Sequence, residues 1–573
     1  MKEELNPVQR FFRLLKPEGK DIMYIYLYAI FNGLINLSLP LGIQAIINLI
    51  TGGQISTSWT VLVVFVMIGI AMTGGLQVFQ LTITERLQQR IFTRASFEFA
   101  YRIPRLKLEK VYQYYVPELV NRFFDTLSVQ KGLSKILMGF STATLQIVFG
   151  LILLSFYHPF FILFGLVLVL IVYLIFRFTG PQGLKTSSSE SKYKYEVAHW
   201  LEEVGRNMET FKLAGKTDLP MQKTDELVSN YIDARKNHFK VLVRQYINMV
   251  SFKVIVAAGL LIMGSLLVID QQINLGQFVA AEIIILLIIN SVEKLILSME
   301  TIYDVLTALE KMGHVTDLEL ENYDGMELDK DCDDAGMAVK IKNLSFSYPE
   351  NKKQTLKNIN MTIDPGDRVC ISGYSGSGKT TLIQIIAGLY EDFDGSLTYN
   401  NIPLGNLNLE NLRSFMGDSL HEEKLFKGTI YENISLGRPN ATMKVVLEAV
   451  EKTFLTDYIQ NLKEGYNTII DPEGKTLPDS IKTKIILARS IACQSKLLLI
   501  TDHLSRLDPV EGGKIVDFLV DKKNPWTLVL ISNQSEIAAK CDKVMLMKDG
   551  EIIGDDNFKD LHLKDMFYQS MTQ

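Results

Sequence analysis

The chain lacks several features that mark other classes of protein. It has only four cysteines among 573 residues, all in the C-terminal half. Because their spacing matches no metal-ligand pattern, we expect reduced, structural thiols. Lys and Arg number 59 against 64 Asp and Glu, and this net charge of −5 argues against a nucleic-acid partner. No cleavable signal peptide is visible, because the first apolar segment is too long and others follow it.

Lysine and arginine are absent from three of the connections between six long apolar runs. The runs fall at about 21–50, 57–84, 134–157, 159–180, 244–269 and 273–303. Each can cross a hydrocarbon core of about 30 Å, which takes about 20 helical residues. The connections without Lys or Arg are 51–56, the one around His158, and 270–272. The loops 85–133 and 181–243 are rich in both. The positive-inside rule therefore predicts an integral membrane protein with both termini and these two loops in the cytoplasm.

Glycine is scarce between residues 85 and 111, where charged and apolar residues interleave. Structureless loops of such length are rare, so we predict that the membrane helices continue far into the cytosol. Each long loop should then turn through a short transverse segment, for which the candidates are 115–122 and 208–213. Within the first span, the proline-containing segment 38–42 predicts a kink.

Polar residues also occur within the predicted spans. Ionisable groups in a membrane often mark a pathway, so Glu282 in the last span is a candidate pathway residue, with a structural role as the alternative. The adjacent Glu293 and Lys294 do not share one helical face and are not expected to pair. Asn32, Asn36, Gln44 and Gln146 are expected to join neighbouring helices by hydrogen bonds.

Residues 373–380 read Gly-Tyr-Ser-Gly-Ser-Gly-Lys-Thr, the phosphate-binding pattern G-x-x-x-x-G-K-[ST]. A short apolar stretch precedes it and an amphipathic one follows, as a strand, loop and helix require. Glycine lets main-chain N–H groups turn inward around phosphate oxygens. Lys379 then reaches the β- and γ-phosphates, and Thr380 offers its hydroxyl to Mg²⁺. The predicted cofactors are ATP and Mg²⁺, and the loop residues predicted to bind them are Gly373, Tyr374, Ser375, Gly376, Ser377, Gly378, Lys379, Thr380 and Thr381.

Six spans, two long cytosolic loops and a C-terminal P-loop domain on one chain resemble an ABC exporter half-transporter of the type IV fold. The resemblance implies a membrane α-helical six-span domain, followed by a cytosolic α/β P-loop NTPase domain with a helical subdomain. It divides the chain into a cytosolic N-terminal segment (1–20), a membrane domain (21–310), a linker (311–336) and a nucleotide-binding domain (337–573).

Further residues match positions of this family's nucleotide site. Tyr348 matches the aromatic residue that stacks on adenine. Asp502, which ends the apolar stretch 497–501, matches the acid that ligates Mg²⁺. Ser505 and Asp508 resemble the family's D-loop. The resemblance therefore implies that nucleotide binding is intact.

Four positions depart from the family's pattern for hydrolysis. His421 occupies the position of the Q-loop glutamine, and His503 that of the glutamate that polarises water. Asn533 occupies the position of the switch histidine. The signature loop, Leu-Ser-Gly-Gly-Gln in the family, here comprises Leu477, Pro478, Asp479, Ser480 and Ile481.

These departures have physical consequences. Pro478 has neither a hydroxyl nor an N–H to bind the γ-phosphate held by a second P-loop. A carboxylate of Asp479 within about 4 Å of a phosphate oxygen would cost about 4 kcal/mol at an effective dielectric constant of 20, unless the loop turns it away. His503 either acts as a weak general base near pH 7 or only fills the space of the glutamate. The resemblance thus implies weak or partner-dependent hydrolysis.

Two functional hypotheses follow. In the first, the chain is the ATP-binding subunit of an exporter and forms a homodimer or heterodimer with a second half-transporter. It would then move a hydrophobic or polypeptide-like substrate out of the cytoplasm, and the lack of organelle-targeting features favours a bacterial inner membrane. In the second, it is a nucleotide-gated regulatory or assembly protein of the membrane, which binds ATP without pumping.

Overall fold

The computed structural model describes residues 5–51, 57–328, 336–349, 351, 353–420, 424–558 and 564–567, without the side chains of Asp502 and His503. The chain divides into two compact units. The first comprises Met1–Pro104 and Tyr114–Leu318, and the second comprises Arg105–Gln113 and Glu319–Gln573. A short segment of the predicted first cytosolic loop therefore belongs to the C-terminal unit.

The first unit is built from helices. In chain order the helices up to residue 316 are α1 (Pro7–Leu15), α2 (Gly19–Asn36), α3 (Ser38–Thr51), α4 (Thr57–Arg102), α5 (Leu108–Val111), α6 (Val116–Asn121), α7 (Asp125–Lys135), α8 (Ser141–Ser155), α9 (Phe160–Arg206), α10 (Met208–Leu213), α11 (Leu219–Ile269) and α12 (Leu275–Thr316). Of these, α5 belongs to the second unit. A π-helical turn, Ile136–Phe140, joins α7 to α8.

Six helical stretches in this part of the chain are long and apolar enough to cross a membrane, which confirms the six predicted spans. The helices also run beyond those spans. Because α4, α9 and α11 have 46, 47 and 51 residues, they extend over about 70–75 Å at 1.5 Å per residue. The first span is broken at Leu37, between α2 and α3, one residue before the segment 38–42 in which the kink was predicted. The short helices α6 and α10 lie within the two predicted transverse segments.

Two of the side-chain hydrogen bonds between elements of the first unit involve Gln44 and Gln146. Tyr157 donates from its hydroxyl to Gln44 Oε1 at 2.6 Å. Ser291 Oγ donates to Gln146 Oε1 at 3.0 Å, and both side chains are buried. The contact of Gln146 links α8 to α12 and confirms its predicted role in joining helices, whereas the contact of Gln44 links α3 to the α8–α9 connection.

The ionisable residues of α12 differ in their surroundings. Glu293 forms an ion pair with Lys253 of α11, with 2.6 Å between Glu293 Oε2 and Lys253 Nζ. Its neighbour Lys294 is exposed on another face of the helix, as the i, i+1 spacing predicts. Glu282 is half-buried and lies about three turns nearer the start of α12 than Glu293 does.

The described residues of the second unit form three sheets and a helical region. Its elements from residue 339 are β1 (Val339–Phe346), β2 (Leu356–Ile363), β3 (Arg368–Gly373), α13 (Lys379–Ile386), β4 (Asp394–Tyr399), β5 (Ile402–Pro403), α14 (Leu409–Ser414), β6 (Met416–Ser419), β7 (Gly428–Thr429), α15 (Ile430–Ser435), α16 (Met443–Lys452), α17 (Thr456–Gln460), β8 (Ile469–Ile470), α18 (Asp479–Ile491), β9 (Leu497–Ile500), α19 (Pro509–Val520), β10 (Thr527–Ile531), α20 (Ser535–Ala538), β11 (Lys543–Lys548) and β12 (Glu551–Asp556).

A six-stranded sheet forms the centre of this unit, in the order β12-β11-β3-β10-β9-β6. The strands from β11 to β6 are parallel, and β12 pairs antiparallel at one edge. Every residue of β3, β9 and β10 is buried, as expected for parallel strands covered on both faces. A second, four-stranded sheet has the order β2-β1-β4-β5 and is antiparallel. This architecture is that of the predicted α/β P-loop domain.

The helices α15 to α18 share a separate hydrophobic core, which also takes in Leu425 and Ile470. This cluster is the helical subdomain that the family resemblance implied. The predicted signature loop comes directly before and at the start of α18.

The segment Arg105–Gln113 is held in the second unit by main-chain and ionic contacts. Lys107 N donates to the carbonyl oxygen of Glu319 at 3.1 Å, and Glu321 N donates to that of Arg105 at 2.9 Å. Lys107 Nζ also lies 3.0 Å from Glu319 Oε1. This ammonium group holds the pKa of the Glu319 carboxyl below its usual range. The segment therefore adds a short strand-like stretch and the helix α5 to the nucleotide-binding part of the chain.

Candidate functional site

The residues predicted to bind nucleotide follow three neighbouring strands of the central sheet. Gly373 ends β3, Asp502 comes two residues after the end of β9, and Asn533 comes two residues after the end of β10. Because β3, β10 and β9 are adjacent and parallel, their carboxyl ends meet at one edge of the sheet. Ligands of open α/β sheets bind at this edge. The fold thus brings residues more than 150 positions apart into one site.

The P-loop has backbone conformations that favour glycine. Gly373, Gly376 and Gly378 have φ values of 134°, 74° and 96°. A Cβ atom on Gly378 would lie only 2.7 Å from Leu356 Cδ2, so a larger residue at this position would also require the Leu356 side chain to move. Gly378 is the N-cap of α13, and the loop therefore delivers its N–H groups to the positive end of that helix.

Two polar side chains of the P-loop fit the phosphates of a nucleotide. Lys379 Nζ donates to the carbonyl oxygens of Gly373 and Tyr374, both at 2.7 Å, so the ammonium group lies across the mouth of the loop. Ser377 Oγ is buried and has no hydrogen-bond partner among the described residues. A buried hydroxyl is normally satisfied, so this group is available to a bound phosphate oxygen. The hydroxyl of Thr380, the predicted Mg²⁺ ligand, is on an exposed residue at the start of α13.

Tyr348 lies beside this loop and is bound to α13. Its hydroxyl is 2.9 Å from Thr381 Oγ1 and 3.4 Å from Gln384 Oε1. Burial raises the pKa of the Tyr348 hydroxyl, which therefore stays protonated at neutral pH. Thr381, predicted to contact nucleotide, is itself buried and contacts Tyr348.

Asn533, the residue predicted for the switch position, is hydrogen-bonded to the start of the P-loop. Its Oδ1 accepts hydrogen bonds from Ser372 Oγ at 2.8 Å and from Gly373 N at 3.4 Å. A neutral amide does not titrate near pH 7, so Asn533 braces the loop without supplying an acid or a base.

The remaining predicted catalytic residues are only partly described. His421 lies outside the described residues. Asp502 and His503 begin the 3₁₀ turn Asp502–Arg506 directly after β9. The chain there is anchored by Thr501, whose N and Oγ1 both donate to the carbonyl oxygen of Ser419, at 2.9 and 3.0 Å. The backbone of the predicted Mg²⁺ ligand is therefore held to the end of β6, two residues before His421.

The predicted signature loop leads into α18, and its one carboxylate, that of Asp479, forms an ion pair within this helix. Pro478 is the N-cap of α18, and Asp479 is its first residue. Asp479 Oδ1 lies 3.1 Å from Lys482 Nζ, and the Asp479 side chain is 77% exposed. Leu477 and Ile481 pack on the core of the helical subdomain, and Ser480 is half-buried. The Asp479 charge is thus directed to a lysine of its own helix.

The D-loop residues have different roles in the structure. Asp508 caps α19, because its Oδ1 accepts hydrogen bonds from the N–H groups of Val510 at 2.9 Å and Glu511 at 3.3 Å. Ser505 is exposed in the turn before it.

Two residues near the site were not predicted from the sequence. The ring of Tyr112 is stacked on Tyr348, with 5.3 Å between ring centroids and an angle of 23° between the planes. Lys548 Nζ lies 5.2 Å from the centroid of the Tyr374 ring in the P-loop. For Tyr112 a signal existed, since residues 112–115 contain three tyrosines directly before the predicted transverse segment.

Two family models match the chain. The model for the ABC transporter transmembrane region matches residues 22–292, and the model for the ABC transporter domain matches residues 356–503. The second match includes the P-loop, the predicted signature loop and the end of β9.

Known proteins are similar over much of the chain. The transport/processing ATP-binding protein ComA of Streptococcus pneumoniae (strain ATCC BAA-255 / R6) is 24% identical over 100% of this chain and 79% of its own length. The ATP-dependent lipid A-core flippase of Legionella pneumophila (strain Lens) is 25% identical over 70% of this chain and 67% of its own. The alpha-hemolysin translocation ATP-binding protein HlyB of Escherichia coli O157:H7 is 28% identical over 61% of this chain and 49% of its own.

The fold is also that of a solved exporter structure. A bacterial Atm1-family ABC exporter with ATP bound superposes with a TM-score of 0.86, covering 96% of this chain and 98% of that one, at 17% identity. A transmembrane region and a nucleotide-binding domain thus follow one another on a single chain, in the order that the sequence predicted. The chain belongs to the ABC transporters and has the half-transporter architecture of the exporters.

Proposed function

We propose that this chain is the ATP-binding subunit of a dimeric exporter that moves a hydrophobic or polypeptide-like substrate out of the cytoplasm. The observation that carries the proposal is the P-loop, on the same chain as six membrane-length helices. In this loop, Lys379 and the Ser377 hydroxyl, which has no hydrogen-bond partner among the described residues, fit phosphate. Relatives named for polypeptide translocation and for lipid A-core flipping support these two substrate classes. A bacterial inner membrane, with both termini in the cytoplasm, is the proposed location.

Each residue of the nucleotide site has a proposed role. Tyr348 stacks on adenine, and the main-chain N–H groups from Gly373 to Gly378 surround the phosphates. Lys379 exchanges its two loop carbonyl partners for phosphate oxygens. Thr380 and Asp502 hold Mg²⁺, which neutralises phosphate charge when it is bound.

Hydrolysis is proposed to be slow or to depend on a partner. The amide of Asn533 already accepts two hydrogen bonds from the P-loop and cannot take up a proton. Asp479 and Pro478 weaken the surface that would cover the γ-phosphate in a second copy or a different half-transporter. Because the loss of one charge-stabilising group costs about 10²–10³ in rate, these departures together predict turnover far below that of a complete site.

The proposal is tested by ATP turnover of the full chain in lipid nanodiscs, with Lys379→Ala as the blank. We expect Mg·ATP binding that Lys379→Ala abolishes, together with turnover close to the blank. In the otherwise wild-type chain, His503→Glu should raise ATP turnover at least about tenfold, because it restores a water-polarising carboxylate. The variant His503→Ala should not raise turnover. Equal Mg·ATP binding by the wild type and Lys379→Ala would contradict the assignment of the site.

A nucleotide-gated membrane protein that binds ATP without pumping is the second candidate. The hydrogen bonds that Asn533 accepts from Ser372 and Gly373 favour it, because they give the proposed switch residue a bracing role without an acid or base. Substrate-stimulated ATP turnover in proteoliposomes separates the two candidates. Stimulation by a hydrophobic peptide or lipid supports the exporter. Nucleotide binding with no turnover, both with and without these substrates, supports the gated protein.

A further inference from the structure

One tyrosine from the predicted first cytosolic loop lies on the residue proposed to stack on adenine. Tyr112 and Tyr348 are nearly parallel, with ring centroids 5.3 Å apart and planes at 23°. The other described rings against Tyr348 stand at steep angles to it, Phe346 at 78° and Tyr390 at 87°. Among these described contacts, Tyr112 alone has the parallel geometry that a flat base would adopt on Tyr348.

The position of Tyr348 is fixed by its other contacts. Its hydroxyl is bonded to Thr381 on α13, the helix that follows the P-loop. Phe346 and Tyr390 are buried, with 3% and 7% exposure, and both pack against its ring. These contacts hold the Tyr348 ring in place, so a base that binds must stack on the ring where it now lies.

Tyr112 and a base on Tyr348 require the same space. Atoms in van der Waals contact are about 3.5–4.0 Å apart, so a base between two rings needs about 7–8 Å between them. The observed centroid separation of 5.3 Å is too small for a third ring. The two tyrosines instead form an offset stack, which fills the place that adenine would take.

The backbone near Tyr112 is anchored, whereas its ring is accessible. Glu109 Oε1 on α5 accepts hydrogen bonds from Glu391 N at 2.6 Å and Asp392 N at 3.3 Å, and Glu109 is buried. Leu108 packs against the core of the second unit. Tyr112, at the end of α5, is 50% exposed. The ring can therefore rotate away while α5 keeps its position.

We propose that Tyr112 is an affinity-determining residue of the nucleotide site, which competes with the adenine base for the face of Tyr348. This inference rests on the proposed function of Tyr348 as the adenine-stacking residue. ATP then binds at the cost of displacing the Tyr112 ring. A ligand that has the phosphates but no base binds without displacing the Tyr112 ring. The loop between the second and third spans is thereby linked to base recognition.

Equilibrium binding to the full chain in nanodiscs tests this proposal, with Mg·ATP and inorganic tripolyphosphate as the two ligands. Tyr112→Ala should lower the Kd for Mg·ATP by about 2- to 10-fold, the value of one aromatic stack. The Kd for tripolyphosphate should stay within twofold. Tyr112→Phe, which keeps the ring, should match the wild type, as should the control Tyr114→Ala. Tyr112→Ser is a second ring-free variant for which the same gain is expected.

The other outcomes overturn the proposal in recognisable ways. Weaker Mg·ATP binding by Tyr112→Ala and Tyr112→Ser would mean that the ring clamps the base. Unchanged binding by both would mean that the stack has no role in affinity. Failure of the underlying site is distinct, since Lys379→Ala and Tyr348→Ala would then bind Mg·ATP as tightly as the wild type.

Discussion

Replacing Glu109 by alanine should release the segment Arg105–Gln113 from the second unit. The Glu109 carboxylate is 8% exposed and accepts main-chain hydrogen bonds at 2.6 and 3.3 Å from the N–H groups of Glu391 and Asp392. A hydrogen bond to a charged group contributes about 1.5–3 kcal/mol net, and alanine would leave the two N–H groups without this acceptor. Local opening of the segment should therefore become easier by about this amount.

Hydrogen exchange measures this change directly. Since about 1.4 kcal/mol corresponds to a factor of ten, amides of the segment should exchange roughly 10- to 150-fold faster in Glu109→Ala. The amides to follow include those of Lys107 and Lys110, which donate to main-chain carbonyls at 3.1 and 3.0 Å. The full chain in nanodiscs, digested after exchange and read by mass spectrometry, supplies the peptides.

Two variants of α5 sharpen the comparison. Glu109→Gln keeps an acceptor oxygen but loses the charge, so its exchange rates should fall between those of the wild type and Glu109→Ala. Lys110→Ala changes an exposed residue of the same helix and should leave the rates unaltered. The reasoning is refuted if Glu109→Ala and Lys110→Ala exchange alike in the segment.

Three further outcomes are expected. Arg413→Met should lower the free energy of unfolding by about 3–5 kcal/mol, because Glu321, whose side chain is 5% exposed, would lose its hydrogen bonds to Arg413 at 2.6 and 2.8 Å and remain a buried charge. Thermal unfolding measures this loss, and adding Glu321→Gln should recover most of it. Asn533→Ala should weaken Mg·ATP binding by about 2- to 10-fold, because Gly373 N in the P-loop loses its acceptor. Isothermal titration calorimetry measures the change in Kd, with Gln534→Ala as the control. Burial raises the pKa of Glu391 above 4.5, so its stabilising contribution is full below that pH and is lost as the pH rises through the folded pKa. Glu391→Gln should therefore gain melting temperature over the wild type at pH 7 but not at pH 4.

The parts of the fold that were predicted from sequence are those with strong local signals. Six apolar runs predict six spans because crossing a hydrocarbon core demands about 20 apolar residues in succession. The P-loop is similarly local, since Gly376 and Gly378 need backbone conformations that few other residues adopt. The helical extensions of α4, α9 and α11 followed from charged and apolar residues that interleave in the two long loops, with glycine scarce between residues 85 and 111.

Contacts between distant parts of the chain were not predictable in the same way. Glu109 and Glu391 are 282 residues apart, and neither lies in a recognisable motif. The assignment of Arg105–Gln113 to the second unit depends on such contacts, as does the stacking of Tyr112 on Tyr348. Lys253 pairs with Glu293 of a neighbouring helix, and periodicity within one helix cannot indicate that partner.

Under the proposed function, local contacts at the predicted site residues explain how this domain would keep its nucleotide site without the hydrolytic groups. Phosphate is surrounded mainly by main-chain N–H groups, whose positions depend on the glycines of the P-loop and on the strand order. Asn533 keeps a hydrogen bond to that loop, and Asp508 still caps α19. Asp479 finds its partner within its own helix. Each of these residues serves the fold through local hydrogen bonds or charge pairing, whereas hydrolysis requires a proton acceptor and a second phosphate-binding surface. Binding and turnover therefore depend on different residues, and substitutions can remove the second while the first is retained.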